Sequence, residues 1–346
     1  LDAIGDYILL RNFIRLIKDS AKFKDYKITL CGNIIWKELA ETLDSDCIDK
    51  FIWIDRTKLK NNIFYKFRLL KMIKLIGFET AIDLTYSREI LFGDSIIKAS
   101  NAIERIGSEG SPDSYVRWKR KLFSDNYYTR LLTASSKNLF EFFRNKEFFE
   151  RLLETNLEIQ KPTIDVSKIS SPIDLMNDYA VIFPGASEPE KTWDVKNFTE
   201  IAKYLESENS LKIVVAGSSN ESKLGKQIVS ALGNTSLDLT GKTSLSQLAK
   251  IISSAKILIS NDTSAVHFAA AVNTTFICVS NGSRFGRFHP YPAEVFNKGH
   301  YVYPTEIINQ FYNIEILNEK FRFSSDLDIN SIKPEVVINL IRKVLK

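Results

Sequence analysis

The stretch KILISNDTSAVHFAAAVNTTFICVS, Lys256 to Ser280, reads in three pieces. KILIS is an apolar run of strand length, the alanine-rich segment after Asp262 is helical, and TFICVS is a second apolar run. Two strands separated by one helix form the βαβ unit of a parallel sheet, because parallel neighbours need a crossover and a helix usually supplies it. Asn261, Asp262, Thr263 and Ser264 fill the junction between strand and helix. Such residues cap helices by accepting from backbone N–H groups. A second role is open to them, since ligands of parallel α/β sheets sit beyond the carboxyl ends of strands, where helix N-termini favour phosphate.

The same alternation runs outward from this unit. Upstream, YAVIFPG, LKIVVAG and SLDLTG read as strands, with helices over Val195 to Leu205, Glu221 to Leu232 and Leu245 to Ser254. In the first half KITLCG, FIWI, TAIDLTYS and AIERIG read as strands, separated by a helix from Ile34 to Leu43 and a basic helix after Arg56. The region Glu141 to Glu158 is helical, and Gln160 to Pro172, with two prolines and no periodicity, is the expected linker. At 346 residues two domains are the natural division, placed at 1–165 and 166–346. The expected architecture is α/β, two doubly wound domains facing each other across a cleft. The terminal helix, Pro334 to Leu345, could pack back on the first domain. The chain opens on LDAIGDYILLRNFIRLIKDS, a loop and helix without the strand that should feed them, so a first strand is expected to be missing.

Composition narrows the partners. A net charge of +5 is modest for the length and does not call for nucleic acid. Three cysteines without a CxxC pair argue against a disulfide framework or zinc knuckle and fit a reducing cytosol. No apolar run approaches the ~18 residues that span a bilayer. RTKLKNNIFYKFRLLKMIK, Arg56 to Lys74, mixes Lys and Arg with large apolar residues and contains no acid. YVRWKRKLF, Tyr115 to Phe123, is a second such stretch. Both suit peripheral contact with the inner face of the cytoplasmic membrane, or an ordinary solvated helix surface.

Polar or glycine-rich junctions recur at the ends of expected strands: Gly5-Asp6, FPGASEPEKTW from Phe183, AGSSNES from Ala216, LTGKTSL, and SNDTSAVH. IGD, PGAS…KTW, LTGKTSLSQLAKII and SNDTSAVHFAAA, in that order, resemble the signature of glycosyltransferase family 9, the ADP-heptose:lipopolysaccharide heptosyltransferases. The resemblance implies a GT-B fold of two Rossmann-like domains, acceptor-binding at the N-terminus and nucleotide-sugar-binding at the C-terminus. It implies Asp6 as general base and Lys191 as the catalytic cation. Gly185, Ser187, Asp262, Thr263, Ser264 and His267 would then face the donor, with Glu221, Lys242 and Thr243 on its adenosine side. Arg284, Arg287 and His289 are expected at acceptor phosphate or sugar. Ser264 stands where the family usually has glycine, and NGSRFGRFHPYP replaces a Gly-Pro-Thr loop.

The expected reaction is sugar transfer, with heptose from ADP-heptose the favoured donor and a lipopolysaccharide core glycolipid or oligosaccharide the acceptor. A carboxylate activates the acceptor hydroxyl, and positive charge and N–H dipoles stabilise the leaving diphosphate. Without an HExxH motif or a cluster of His and carboxylate at metal-ligand spacing, neither a metal nor another cofactor is expected, and single displacement predicts inversion. The absence of GxGxxG and of GxxxxGK[ST] argues against a dehydrogenase and a P-loop NTPase. Two alternatives remain at this stage: a GT-B enzyme using another UDP- or GDP-sugar for capsule or O-antigen, and a non-catalytic nucleotide-binding homologue.

Overall fold

In a computed structural model the chain forms two compact units, Leu1–Ile159 and Gln160–Lys346. Residues 3–112, 114–172, 178–233 and 236–346 are described.

The first unit runs α1 (Ile4–Asp19), β1 (Thr29–Asn33), α2 (Lys37–Leu43), β2 (Lys50–Ile54), α3 (Arg56–Asn61), α4 (Ile63–Ile76), β3 (Thr80–Asp83), α5 (Gly93–Ser100), β4 (Glu104–Ser108), α6 (Ser114–Phe123), β5 (Arg130–Leu132) and α7 (Glu141–Leu153). Its strands make two parallel sheets, β1–β2 and β3–β4–β5. Helices α1 and α7 pack through aromatic rings, Phe13 against Phe142 and Phe149 with centroids 5.0 and 5.4 Å apart. Asn62 breaks the expected single basic helix: its side chain accepts from the Tyr65 N–H and so starts α4 where α3 stops.

The second unit runs β6 (Tyr179–Phe183), α8 (Val195–Asn209), β7 (Lys212–Val215), α9 (Ser222–Ser230), β8 (Leu237–Asp238), α10 (Leu245–Ser253), β9 (Ile257–Asn261), α11 (Ser264–Ala271), β10 (Phe276–Val279), β11 (Gly299–Val302), α12 (Thr305–Ile308), α13 (Ile314–Lys320) and α14 (Pro334–Val344). All six strands are parallel, in the order β11-β10-β9-β6-β7-β8. Every residue of β6, β9 and β10 is buried, as expected of parallel strands covered on both faces. Ala180, Ile182, Ile213, Val215, Ile257 and Ile259 face Phe198, Ile201 and Leu205 of α8 and Val337 and Ile341 of α14. Each of the larger side chains, the alanine aside, contributes about 1.5–3 kcal/mol by leaving water.

The terminal helix thus lies on α8 of its own unit. The segment expected as a linker is fastened to the second unit as well, the Ile164 N–H donating to the Ala271 carbonyl at 2.9 Å.

Candidate active site

Strand order determines where a ligand can sit in the second unit. From β6 the chain moves through β7 to β8 on one side, and then returns to β9 beside β6 before continuing to β10 and β11 on the other. In open parallel sheets such a reversal is the usual place for a binding crevice, which here falls beyond the carboxyl ends of β6 and β9. The loop Pro184–Lys191 leaves β6 there, and Asp262 and Thr263 leave β9.

The two loops are tied by one side chain. Asn261, the last residue of β9, is fully buried. Its Nδ2 donates to the carbonyls of Pro184 (2.8 Å) and Gly185 (3.2 Å), and its Oδ1 accepts from the Trp193 N–H at 3.1 Å. Both ends of the β6 loop therefore hang from one amide. Asn281, after β10, repeats the device, donating to the carbonyls of Glu190 (3.1 Å) and Ser325 (3.3 Å). Trp193 is a packing residue, wholly buried with its Nε1 donating to the Ile332 carbonyl at 3.0 Å.

Held this way, Lys191 is only 5% exposed. Its Nζ lies 3.9 Å from Asp262 Oδ2 and 3.7 Å from Glu188 Oε1. Asp262 Oδ2 is in turn 3.6 Å from His289 Nε2, and Glu188 Oε1 is 3.9 Å from Arg284 Nη2. Arg284, Glu188, Lys191 and Asp262 thus form a row of alternating charge along the mouth of the crevice. The residues Asp262, Thr263 and Ser264 divide between two roles. Thr263 is the cap of α11, accepting from the Ala265 N–H at 3.2 Å, with its hydroxyl 3.1 Å from Ser260 Oγ. Asp262 is not the cap, and its carboxylate faces the cations. Ser264 opens α11, and Ser187 is exposed on the β6 loop.

The other expected donor residues are spread along the sheet. The carboxylate of Glu221 accepts from the Ser218 N–H and fills the space beside Gly185, where any Cβ would overlap it. Lys242 and Thr243 follow edge strand β8, the Lys242 Nζ donating to the Asp238 carbonyl at 2.6 Å. Arg287 lies over the Phe288 ring, 4.9 Å from its centroid. His289, expected at the acceptor, is enclosed. It has no exposed surface, and its Nδ1 and Nε2 meet Tyr303 Oη (2.9 Å) and the Ser283 carbonyl (2.8 Å). A ring proton on Nε2 satisfies both contacts, so His289 reaches the crevice only through Asp262.

In the first unit, Asp6 occupies the first turn of α1, where its carboxylate accepts from the Ala3 N–H at 3.1 Å. Among the described residues no group of three or more His, Cys, Asp or Glu side chains is gathered so as to hold a metal ion.

The model of glycosyltransferase family 9 (heptosyltransferase) matches residues 114–303, more than half of the chain. The chain belongs to this family. Lipopolysaccharide heptosyltransferase 2 of Escherichia coli (strain K12) is 32% identical over 101 residues, 28% of this chain and 29% of that relative's length. Among solved structures, a family 9 glycosyltransferase of Veillonella parvula DSM 2008 superposes with a TM-score of 0.75 at 17% identity, over all of this chain and 95% of the other. The E. coli heptosyltransferase WaaC with ADP-2-deoxy-2-fluoro heptose gives 0.72 at 15%, over 99% and 97%. The fold is α/β with two Rossmann-like units, the GT-B class.

In this family 9 chain His267 stands behind the crevice on α11, its Nδ1 2.8 Å from Tyr291 Oη. Burial is the main cause that pushes its pKa down to about 4, with His289 adding to the effect and Asp262 opposing it. The unfolded chain takes up the His267 proton near pH ~6.5, well above the native state. Stability is therefore expected to fall between about pH 6.5 and pH 4, by roughly 3 kcal/mol from this group. Urea unfolding at several pH values should show a shallower loss for His267→Asn than for the parent chain.

Proposed function

We propose that the chain transfers heptose from ADP-heptose to a sugar of the lipopolysaccharide core, with inversion and without a bound metal. Family membership supports the reaction type. The names of its relatives, lipopolysaccharide heptosyltransferase 2 and a heptosyltransferase with an ADP-heptose analogue, support donor and acceptor. The observation that carries the reading is the pairing of Lys191, on a loop fastened by Asn261, with Asp262 beyond the carboxyl ends of β6 and β9.

In this reading the second unit binds the nucleotide sugar. Lys191, the backbone of Gly185 and Ser187, and the α11 entrance at Thr263 and Ser264 take the diphosphate, while Asp262 keeps the Lys191 ammonium aimed. Glu221, Lys242 and Thr243 line the adenosine side. Arg284 and Arg287 attract an anionic acceptor, and His267 and His289 buttress the site from behind. The first unit presents the acceptor to Asp6, whose carboxylate takes the hydroxyl proton. The freed oxygen attacks the anomeric carbon opposite the diphosphate. The carbon–oxygen bond to the diphosphate breaks, and ADP leaves with the electron pair, its new charge met by Lys191. Because the loop already carries a buried cation, the leaving group needs no divalent ion. The work would be done in the cytoplasm, at the inner face of the membrane.

A panel of nucleotide sugars offered with a truncated lipopolysaccharide core tests this. Transfer should be fastest from ADP-heptose, persist with a chelator, and give the inverted anomer by NMR. Preference for a UDP- or GDP-sugar would refute the donor, and retained configuration the mechanism.

A further inference from the structure

Surface helices normally turn polar residues outward. Helix α4 turns large apolar residues outward as well as inward. At 3.6 residues per turn, Leu69 and Ile73 mark its inward side, where they are buried against Ile52, Ile54 and Leu59. Diametrically outward lie Phe64, Phe67, Lys71 and Leu75, flanked by Ile63, Arg68 and Lys74. Ile63, Phe64, Phe67 and Leu75 are 72%, 76%, 66% and 75% exposed. Large apolar side chains grouped at such exposure mark a contact surface.

The charges around them say what the surface meets. From Arg56 to Phe78 the chain has seven Lys and Arg and no Asp or Glu. Lys60, Arg68, Lys71 and Lys74 are all exposed. Interfaces between proteins exclude lysine from their centres, whereas here Lys71 sits among the phenylalanines. A second copy meeting the same face about a two-fold axis would oppose cation to cation. Phenylalanine and leucine ringed by lysine suit the boundary between acyl chains and anionic headgroups.

We propose that the outward face of α4 is a membrane-docking surface specific for anionic lipid, with Phe64, Phe67 and Leu75 entering the headgroup layer and Lys71, Lys74 and Arg68 meeting its charge. This gives the membrane contact of the proposed function a definite surface but rests on α4 alone. Its test reads lipid binding and no sugar transfer, so its failure and that of the proposed reaction can be told apart.

The full chain is sedimented with vesicles of phosphatidylcholine alone or mixed with phosphatidylglycerol. Binding is expected only to the anionic vesicles, with release at high salt. Lys71→Gln with Lys74→Gln should weaken partitioning on the order of tenfold or more. Phe64→Ser with Phe67→Ser should do the same, and because these side chains point outward, thermal unfolding should be unchanged in both variants. Absent binding, equal binding to neutral vesicles, or binding untouched in both variants overturns the proposal. So does a dimer in solution that Phe64→Ser with Phe67→Ser dissolves, which would assign the face to a second copy.

Discussion

Asp6→Asn is expected to lower turnover by about 10²- to 10⁴-fold, the usual contribution of a positioned general base. The substitution removes the negative charge and basicity but keeps an oxygen that can accept from the Ala3 N–H, as the carboxylate does now at 3.1 Å. The first turn of α1 should therefore lose at most about 1 kcal/mol. Donor binding belongs to the other unit in the proposed reading and should be preserved. Calorimetry with ADP and initial rates with donor and acceptor separate the two effects. Wild-type turnover in the variant would reduce Asp6 to a helix-start residue, and loss of ADP binding along with turnover would place the aspartate at the wrong substrate.

Lys191→Met should be comparably severe, with kcat down by about 10²- to 10³-fold, as when a preorganised donor to a developing anion is deleted. Its effect should also differ in kind. The ammonium now lies between Asp262 and Glu188, at 3.9 and 3.7 Å. Without it two carboxylates would face the incoming diphosphate, so ADP affinity should fall as well. Lys191→Arg keeps the charge but presents a planar fork in place of a compact ammonium and should restore binding better than rate. Steady-state kinetics with calorimetry distinguishes these outcomes. Unchanged kcat in Lys191→Met would leave the leaving group without its proposed partner.

The strands most plainly legible in the sequence were those covered on both faces. β6, β7, β9 and β10 show as unbroken apolar runs because helices lie above and below them. Strands β5 and β11 escaped notice: RLL is only three residues long, and GHYV mixes glycine and histidine at the edge of its sheet. Helix α5 begins at Gly93-Asp94, a pair that reads as a turn. The break at Asn62 was legible in principle, since paired asparagines in a basic run signal a cap. The site was less readable still. Lys191 stood out only through the family resemblance. Asn261 looked like ordinary cap chemistry and Asn281 like a loop residue, because their partners lie 68 to 77 and 44 to 91 residues away and leave no local trace. For His289 a signal did exist: Phe285, Phe288, Tyr291, Tyr301 and Tyr303 crowd the segment with aromatics, which favour a buried ring over an exposed one.

Asn261 gives the β6 loop a particular mechanical character. Two donors and one acceptor on a single side chain leave the stretch from Pro184 to Trp193 no freedom to lift away from β9 without stranding polar groups out of reach of water. The Lys191 ammonium it carries is thus held in place by the fold itself, and in the proposed reading the entropic cost of immobilising it falls on folding rather than on encounter. In the proposed reading, discrimination among donors then falls to the parts of the site outside this loop.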